Sequence, residues 1–205
     1  MLLLAHIGIT LGVALAGDQI FNLCQKHSSP TSPTAEASGT EDQMSASLQT
    51  SIARNLFDFR FWIIGSVLPD LIDKPVGHFL FQQAFHNNGR IFSHTLLFFL
   101  VIFAIGLYLG ISRKKMWLLA LSLGVLVHLV LDSLWTTPRT LFWPLLGWNF
   151  PYSPDYNWTM AILWEYVHDP RAYIPELIGL PFIIWFIYKL IHEKRLGTFL
   201  RHGHY

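Results

Sequence analysis

Apolar residues in this chain run in long blocks, and several blocks approach the length of a bilayer crossing. Leu2–Cys24, His94–Ile111, Met116–Trp135 and Tyr173–Ile191 are almost uninterrupted, and ~20 apolar residues carry a helix across the hydrocarbon. A fifth block, Ile52–Leu68, is shorter and ends at Pro69. It either spans with Arg54, Asp58 and Arg60 held at an interface or turns back inside the membrane. Between the first two blocks, Gln25–Ser51 is rich in Ser, Thr, Pro and Ala. Such a stretch buries too little apolar surface to fold alone. The pattern predicts an all-α, multi-pass bundle of about five membrane helices. It forms one membrane domain over residues 1–205, with a flexible linker at 25–51 and an aromatic loop at 136–171.

Composition agrees with the pattern. Of 205 residues, 52% are hydrophobic and 13% charged, with a mean hydropathy of +0.39, whereas soluble domains carry about a quarter charged residues. A net charge of +1 argues against a nucleic-acid partner, which usually needs a concentrated basic surface. The single Cys24 forms no internal disulfide, so it says nothing of redox compartment. Leu2–Ala16 has the look of a signal peptide, with Ala-Leu-Ala before Gly17. It lacks a basic start and carries His6 within the apolar run, so it is read as a retained helix.

The basic residues orient the bundle. Arg113, Lys114 and Lys115 fill one tight connection, and Lys194, Arg195 and Arg201 lie in the C-terminal tail. Placing both on the cytoplasmic side puts the N-terminus and the 136–171 loop outside and the C-terminus and the linker inside. Ten of the fourteen Lys and Arg then fall inside. On this frame His6, Asp70, Asp73, His94, Asp132 and Glu176 all come to the outer end of their helices. His128 sits one turn, ~6 Å, deeper than Asp132.

His128 and Asp132 lie four residues apart in an apolar run, so they project from one face. Ionisable groups in such segments are costly and point to function. The plainer reading of each residue alone is an interhelical hydrogen bond for a histidine or a cap for an aspartate. Their convergence favours a mixed nitrogen and oxygen site for a divalent metal. Zinc suits it best, with manganese or iron as alternatives. Pro69 is suited to open a helical turn that aims Asp70 and Asp73 together. Glu176 is either a ligand or base, or a first-turn carboxylate favoured by the helix dipole. Arg90 is either a partner for a substrate phosphate or carboxylate or an ordinary loop cation. His27, His192, His202 and His204 fall at the opposite end.

AHIGIT, GSVLPDLID, RIFSHTLL, GVLVHLVLD, FWPLLG and YIPELIGL occur in this order. Together they resemble the membrane-bound metal-dependent hydrolase family of the YdjM type, also described as LexA-regulated inner-membrane-associated hydrolases. The resemblance implies that His6, Asp70, Asp73, His94, His128 and Asp132 are metal ligands or their close neighbours. It also implies an inner-membrane location. The third motif of that family usually reads His-Arg, whereas Gly89 precedes Arg90 here. His86 is one candidate to stand in. The order of Asp and His is also faintly similar to zinc-dependent phospholipase C and P1-type nucleases.

These readings together give an expected function of metal-assisted hydrolysis at the non-cytoplasmic face. Asp70, Asp73 or Glu176 serve as the base, and Arg90 contacts the substrate. The substrate is a lipid-like ester or phosphodiester taken from membrane lipid, since the site lies at headgroup depth. The rival readings are an ion or metal carrier and a metal-stabilised scaffold without turnover. Carriers, however, place their sites near the midplane, and here the polar groups gather at one end. Phe142, Trp143, Trp148, Phe150, Tyr152, Tyr156, Trp158, Trp164 and Tyr166 in the outer loop form an interfacial belt, or more sharply a lid. Glu165 and His168 in the same loop are read as solvated.

The orientation is open to thiol labelling in intact cells. An impermeant maleimide is expected to spare Cys24 and to modify Trp148→Cys; the opposite result reverses the frame.

Overall fold

The computed structural model describes residues 3–28, 55–152, 160, 164 and 167–204. Among them every regular element is helical. The elements are α1 (Leu3–Ser28), α2 (Phe59–Pro75), a π-helical turn (Val76–Leu80), α3 (Leu96–Arg113) and α4 (Trp117–Leu131). They continue with a 3-10 turn (Leu134–Thr136), α5 (Pro138–Leu141), α6 (Pro170–His192) and α7 (Leu196–His202). The linker beyond Ser28, Arg54, Tyr156, Trp158, Glu165 and Tyr166 lie outside the described residues.

Within α1, α3 and α6, the segments Leu3–Cys24, Leu96–Arg113 and Ala172–His192 are long and apolar enough to cross a membrane. The helix bounds differ from the expected blocks at two places. The fourth block stops at Leu131, giving an apolar helix of 15 residues, because Asp132 caps it and Ser133 turns left-handed at φ 52°. The second begins at Phe59, where Asp58 accepts the Arg60 amide at 3.2 Å. It runs through Pro69 to Pro75, so Pro69 lies inside a helix rather than opening one. The proline ring costs one backbone hydrogen bond and is tolerated amid close packing. His94 does not open α3 either. It lies in the loop before the N-cap Thr95, whose Oγ1 accepts the Phe98 amide at 3.1 Å. Lys26 and His27 extend α1 into the segment expected to be linker.

α2 packs against α4 and α1, α1 against α6, and α3 against α4. One apolar cluster joins Leu11, Leu15, Phe59, Trp62, Phe186 and Leu190; a second joins Phe99, Leu121, Val125, Leu129 and Leu134. α3 leaves Leu97, Leu100, Val101, Ile105 and Ile111 exposed, which suits a lipid-facing surface and not a water-facing one. Two contacts bring backbones together. A Cβ on Gly65 or Gly124 would overlap the carbonyl of Leu121 or Trp62, and one on Gly8 would overlap Gly179. Small residues of this kind let helices approach where lipid supplies no hydrophobic drive. At the end of the bundle opposite His6 and Asp132, the Phe59 amide donates to the Gly203 carbonyl at 3.0 Å, and Arg60 Nη1 donates to the Leu200 carbonyl at 2.9 Å.

Gly124→Ala forces α4 away from Trp62 and is expected to cost ~1–3 kcal/mol by overpacking, read as a lower unfolding temperature in detergent. Gly197→Ala, with open space around it, is the matched control and is expected to change stability by less than ~0.5 kcal/mol.

Candidate metal centre

Five side chains from four places in the chain meet at one end of the bundle. They are His6 of α1, Asp70 of α2, His94 of the loop before α3, and His128 and Asp132 at the end of α4. His94 and His128 are fully buried and His6 is 1% exposed, so their polar atoms depend on each other. Asp132 remains one turn from His128, with its amide donating to the His128 carbonyl at 2.9 Å.

The imidazoles are oriented by their Nδ1 atoms. His128 Nδ1 lies 2.7 Å from the Ser66 carbonyl, which can only accept. His94 Nδ1 lies 2.7 Å from Asp73 Oδ2. Both rings therefore carry their proton on Nδ1, and in the neutral form each Nε2 presents a lone pair. These two Nε2 atoms face each other at 3.2 Å. Two acceptors at that distance repel unless a cation or a proton lies between them. Asp70 Oδ1 completes a triangle, 3.4 Å from His94 Nε2 and 3.9 Å from His128 Nε2. Tetrahedral zinc ligands at ~2.0–2.1 Å from the metal stand ~3.3 Å apart, so the donor set fits such an ion. Asp132 Oδ2 is 3.8 Å from His94 Nε2, and Asp132 Oδ1 is 3.3 Å from His6 Nε2. The His6 ring meets that of His128 edge-on at 4.1 Å between centroids. Among the described residues neither nitrogen of His6 makes a well-aligned hydrogen bond, which leaves its Nε2 only the 3.3 Å approach to Asp132, an expensive state for a buried imidazole.

Asp73 stands apart from this donor set. It is fully buried, and its oxygens receive the amides of Ile91 at 2.8 Å, Ser93 at 3.1 Å and His94 at 3.2 Å besides the His94 ring. It thus folds the loop and fixes His94. Glu176 is buried too, and its Oε2 accepts the Ala5 amide at 2.9 Å. It satisfies a free donor in the first turn of α1, and it is not among the five His and Asp side chains that gather at the centre. Arg90 Nε bonds Asp132 Oδ2 at 2.9 Å, and Lys74 Nζ bonds Asp70 Oδ2 at 2.6 Å. The sequence reading missed Lys74, although its position four residues after Asp70 was a usable signal.

His86 does not stand in for the missing histidine of the third motif. It is exposed, beside Tyr152. The side-chain space at Gly89 is instead taken by the ring of His78, whose Nδ1 lies 2.8 Å from Asn87 Oδ1. Phe85, Phe92, Trp143 and Phe150 pack edge to face over this loop. Part of the aromatic segment therefore braces the loop that holds His94. His168 is exposed and stacks on Trp164.

The family model for the YdjM inner membrane protein matches residues 1–196. The chain belongs to that family. No curated protein and no solved structure matches it. Family membership and the apolar helices make it an inner-membrane protein with transmembrane helices. The match spans every residue of the centre, from His6 to Asp132.

Asp73→Ala strands three backbone amides and frees the His94 ring. Each buried unsatisfied group costs ~1–3 kcal/mol, so a loss above ~3 kcal/mol is expected in detergent unfolding, with Asp73→Asn milder. A wild-type unfolding temperature for Asp73→Ala would remove its role in the loop.

Proposed function

We propose that the chain is a membrane-bound metal-dependent hydrolase with its centre at the non-cytoplasmic face. One observation carries this reading: two buried imidazoles, their protons held on Nδ1, aim Nε2 lone pairs at each other across 3.2 Å with Asp70 beside them. His94, His128 and Asp70 hold the ion, and Asp132 and His6 complete its surroundings. Zinc is the best match to that donor set, with manganese or iron as alternatives. A divalent ion there supplies a water made nucleophilic at neutral pH and polarises a phosphoryl or carbonyl oxygen.

The chain's own residues set the rest. Asp73 keeps the His94 ring in one tautomer and one direction, as outer carboxylates do for metal-ligating histidines. The Ser66 carbonyl does the same for His128. Asp73 already accepts four donors, so proton transfer falls to Asp70 or Asp132, each of which turns one oxygen toward the imidazoles. Glu176 holds the start of α1, and with it His6, in place. The substrate class is a lipid-like ester or phosphodiester, reached from membrane lipid at headgroup depth. The orientation that puts the centre outside rests on the distribution of Lys and Arg.

The test is metal content of the detergent-purified protein together with hydrolysis of phospholipid and phosphodiester. Wild type is expected to retain about one divalent ion per centre and to turn over substrate. His128→Ala is expected to lose ~10²-fold or more in metal affinity, since one ligand of a small set is gone. Metal-free wild type sinks the reading. Metal without hydrolysis leaves a carrier or a scaffold, which ion flux into liposomes separates.

A further inference from the structure

Burial falls off in one direction from the centre. The side chains of His94 and Asp73 are fully buried, Asp132 is 4% and Asp70 14% exposed, but Lys74 is 37% and Arg90 43% exposed. Anything approaching from that side meets two cations before it meets the imidazoles. Each cation grips the oxygen of a carboxylate that also faces the centre, Lys74 on Asp70 and Arg90 on Asp132. Arg90 meets Asp132 through Nε at 2.9 Å, and its planar guanidinium carries further N–H donors that suit a phosphate.

The segment carrying Arg90 is built to stay put. His86 and Asn87 take left-handed backbone at φ 51° and 56°, a conformation that costs ~1 kcal/mol or more in a residue with a Cβ. It is held by three side-chain contacts: Asn87 Oδ1 with His78 Nδ1 at 2.8 Å, Asn88 Oδ1 with the Arg90 amide at 2.9 Å, and Asn88 Nδ2 with the Pro151 carbonyl at 2.8 Å. Two glycines allow the clamp to close. A Cβ at Gly77 would overlap the Asn88 carbonyl, and one at Gly89 the His78 ring. Arg90 therefore leaves its loop from a fixed point above Asp132.

Charge selects the ligand. Lys74 and Arg90 stand on the more exposed side of the carboxylates Asp70 and Asp132. A divalent ion held behind them would add to the positive charge that an incoming group meets. A phosphodiester carries a negative charge for these cations to meet; a carboxylic ester carries none. We propose that Lys74 and Arg90 form a phosphate-binding rim on the centre, which makes the substrate a phosphodiester rather than a neutral ester. The inference rests on the hydrolase reading for turnover, but the rim itself is an anion site.

The full chain in detergent, loaded with zinc, is dialysed to equilibrium against radiolabelled orthophosphate. It is then assayed with bis(4-nitrophenyl) phosphate and with neutral 4-nitrophenyl acetate. Wild type is expected to bind orthophosphate and to favour the diester. Lys74→Met and Arg90→Gln are each expected to weaken orthophosphate binding by about tenfold or more, the worth of one charge-assisted contact, and to raise KM for the diester while zinc content stays at the wild-type level. Orthophosphate binding that is absent from zinc-loaded wild type, or unmoved by both substitutions, overturns the rim. So does equal turnover of the neutral ester. Wild type without zinc removes the hydrolase reading alone, and the rim then stands if the two substitutions still abolish orthophosphate binding. Vesicles of phosphatidylglycerol against the soluble diester tell a lipid headgroup from a free phosphate ester.

Discussion

The buried carboxylate of Asp73 is the interaction on which the polar end of this bundle depends. It is fully buried, yet it gathers the amides of Ile91, Ser93 and His94 and the ring of His94. A buried carboxylate is tolerable only when its oxygens are satisfied, and here the satisfaction is supplied by a loop with no regular structure. The same contacts give that loop its shape, bring His94 from outside α3 into the bundle, and choose which ring nitrogen faces the other imidazole. Without Asp73, His94 has no reason to point anywhere in particular.

A second constraint is the close approach of α2 to α4. Gly65 and Gly124 let the two backbones touch, which places the Ser66 carbonyl within 2.7 Å of His128 Nδ1. Packing and chemistry are therefore coupled. A change that pushes the helices apart loosens the ring that carries Nε2. The apolar clusters around Trp62 and Leu121 lie on the same two helices, so the dry part of the bundle sets the geometry of its polar end. α3 and α6, by contrast, spend much of their apolar surface outward, as helices facing lipid do.

Much of this was legible in the sequence, for reasons that are local or statistical. Long apolar blocks identify membrane helices because hydrocarbon thickness sets a length. The four-residue spacing of His128 and Asp132 puts them on one face by helix geometry alone, and Asp132 caps the helical turn that starts at His128. The alternation of helix direction brought His6, PDLID, His94 and LVHLVLD to one end, and the structure brings those residues to one end as well. Family membership follows from the same ordered motifs. Helix ends were less legible, since Pro69 reads as a boundary in a sequence while tertiary packing carries α2 past it to Pro75.

What only the tertiary structure decided is the division of labour among like residues. Asp70 and Asp73 are three apart in one motif and look equivalent, yet one faces two imidazoles and the other binds backbone amides, because the loop 91–94 folds over a single side of α2. Glu176 reads as a first-turn carboxylate of its own helix and instead satisfies an amide of α1, a contact across 171 residues of chain. The place of His78 beside Gly89 likewise depends on a loop closing over a π-helical turn. Sequence spacing fixes which residues share a helix face, because the helix repeat is constant. It cannot fix which donor from a distant segment each carboxylate will meet, because that depends on how separate elements close on one another.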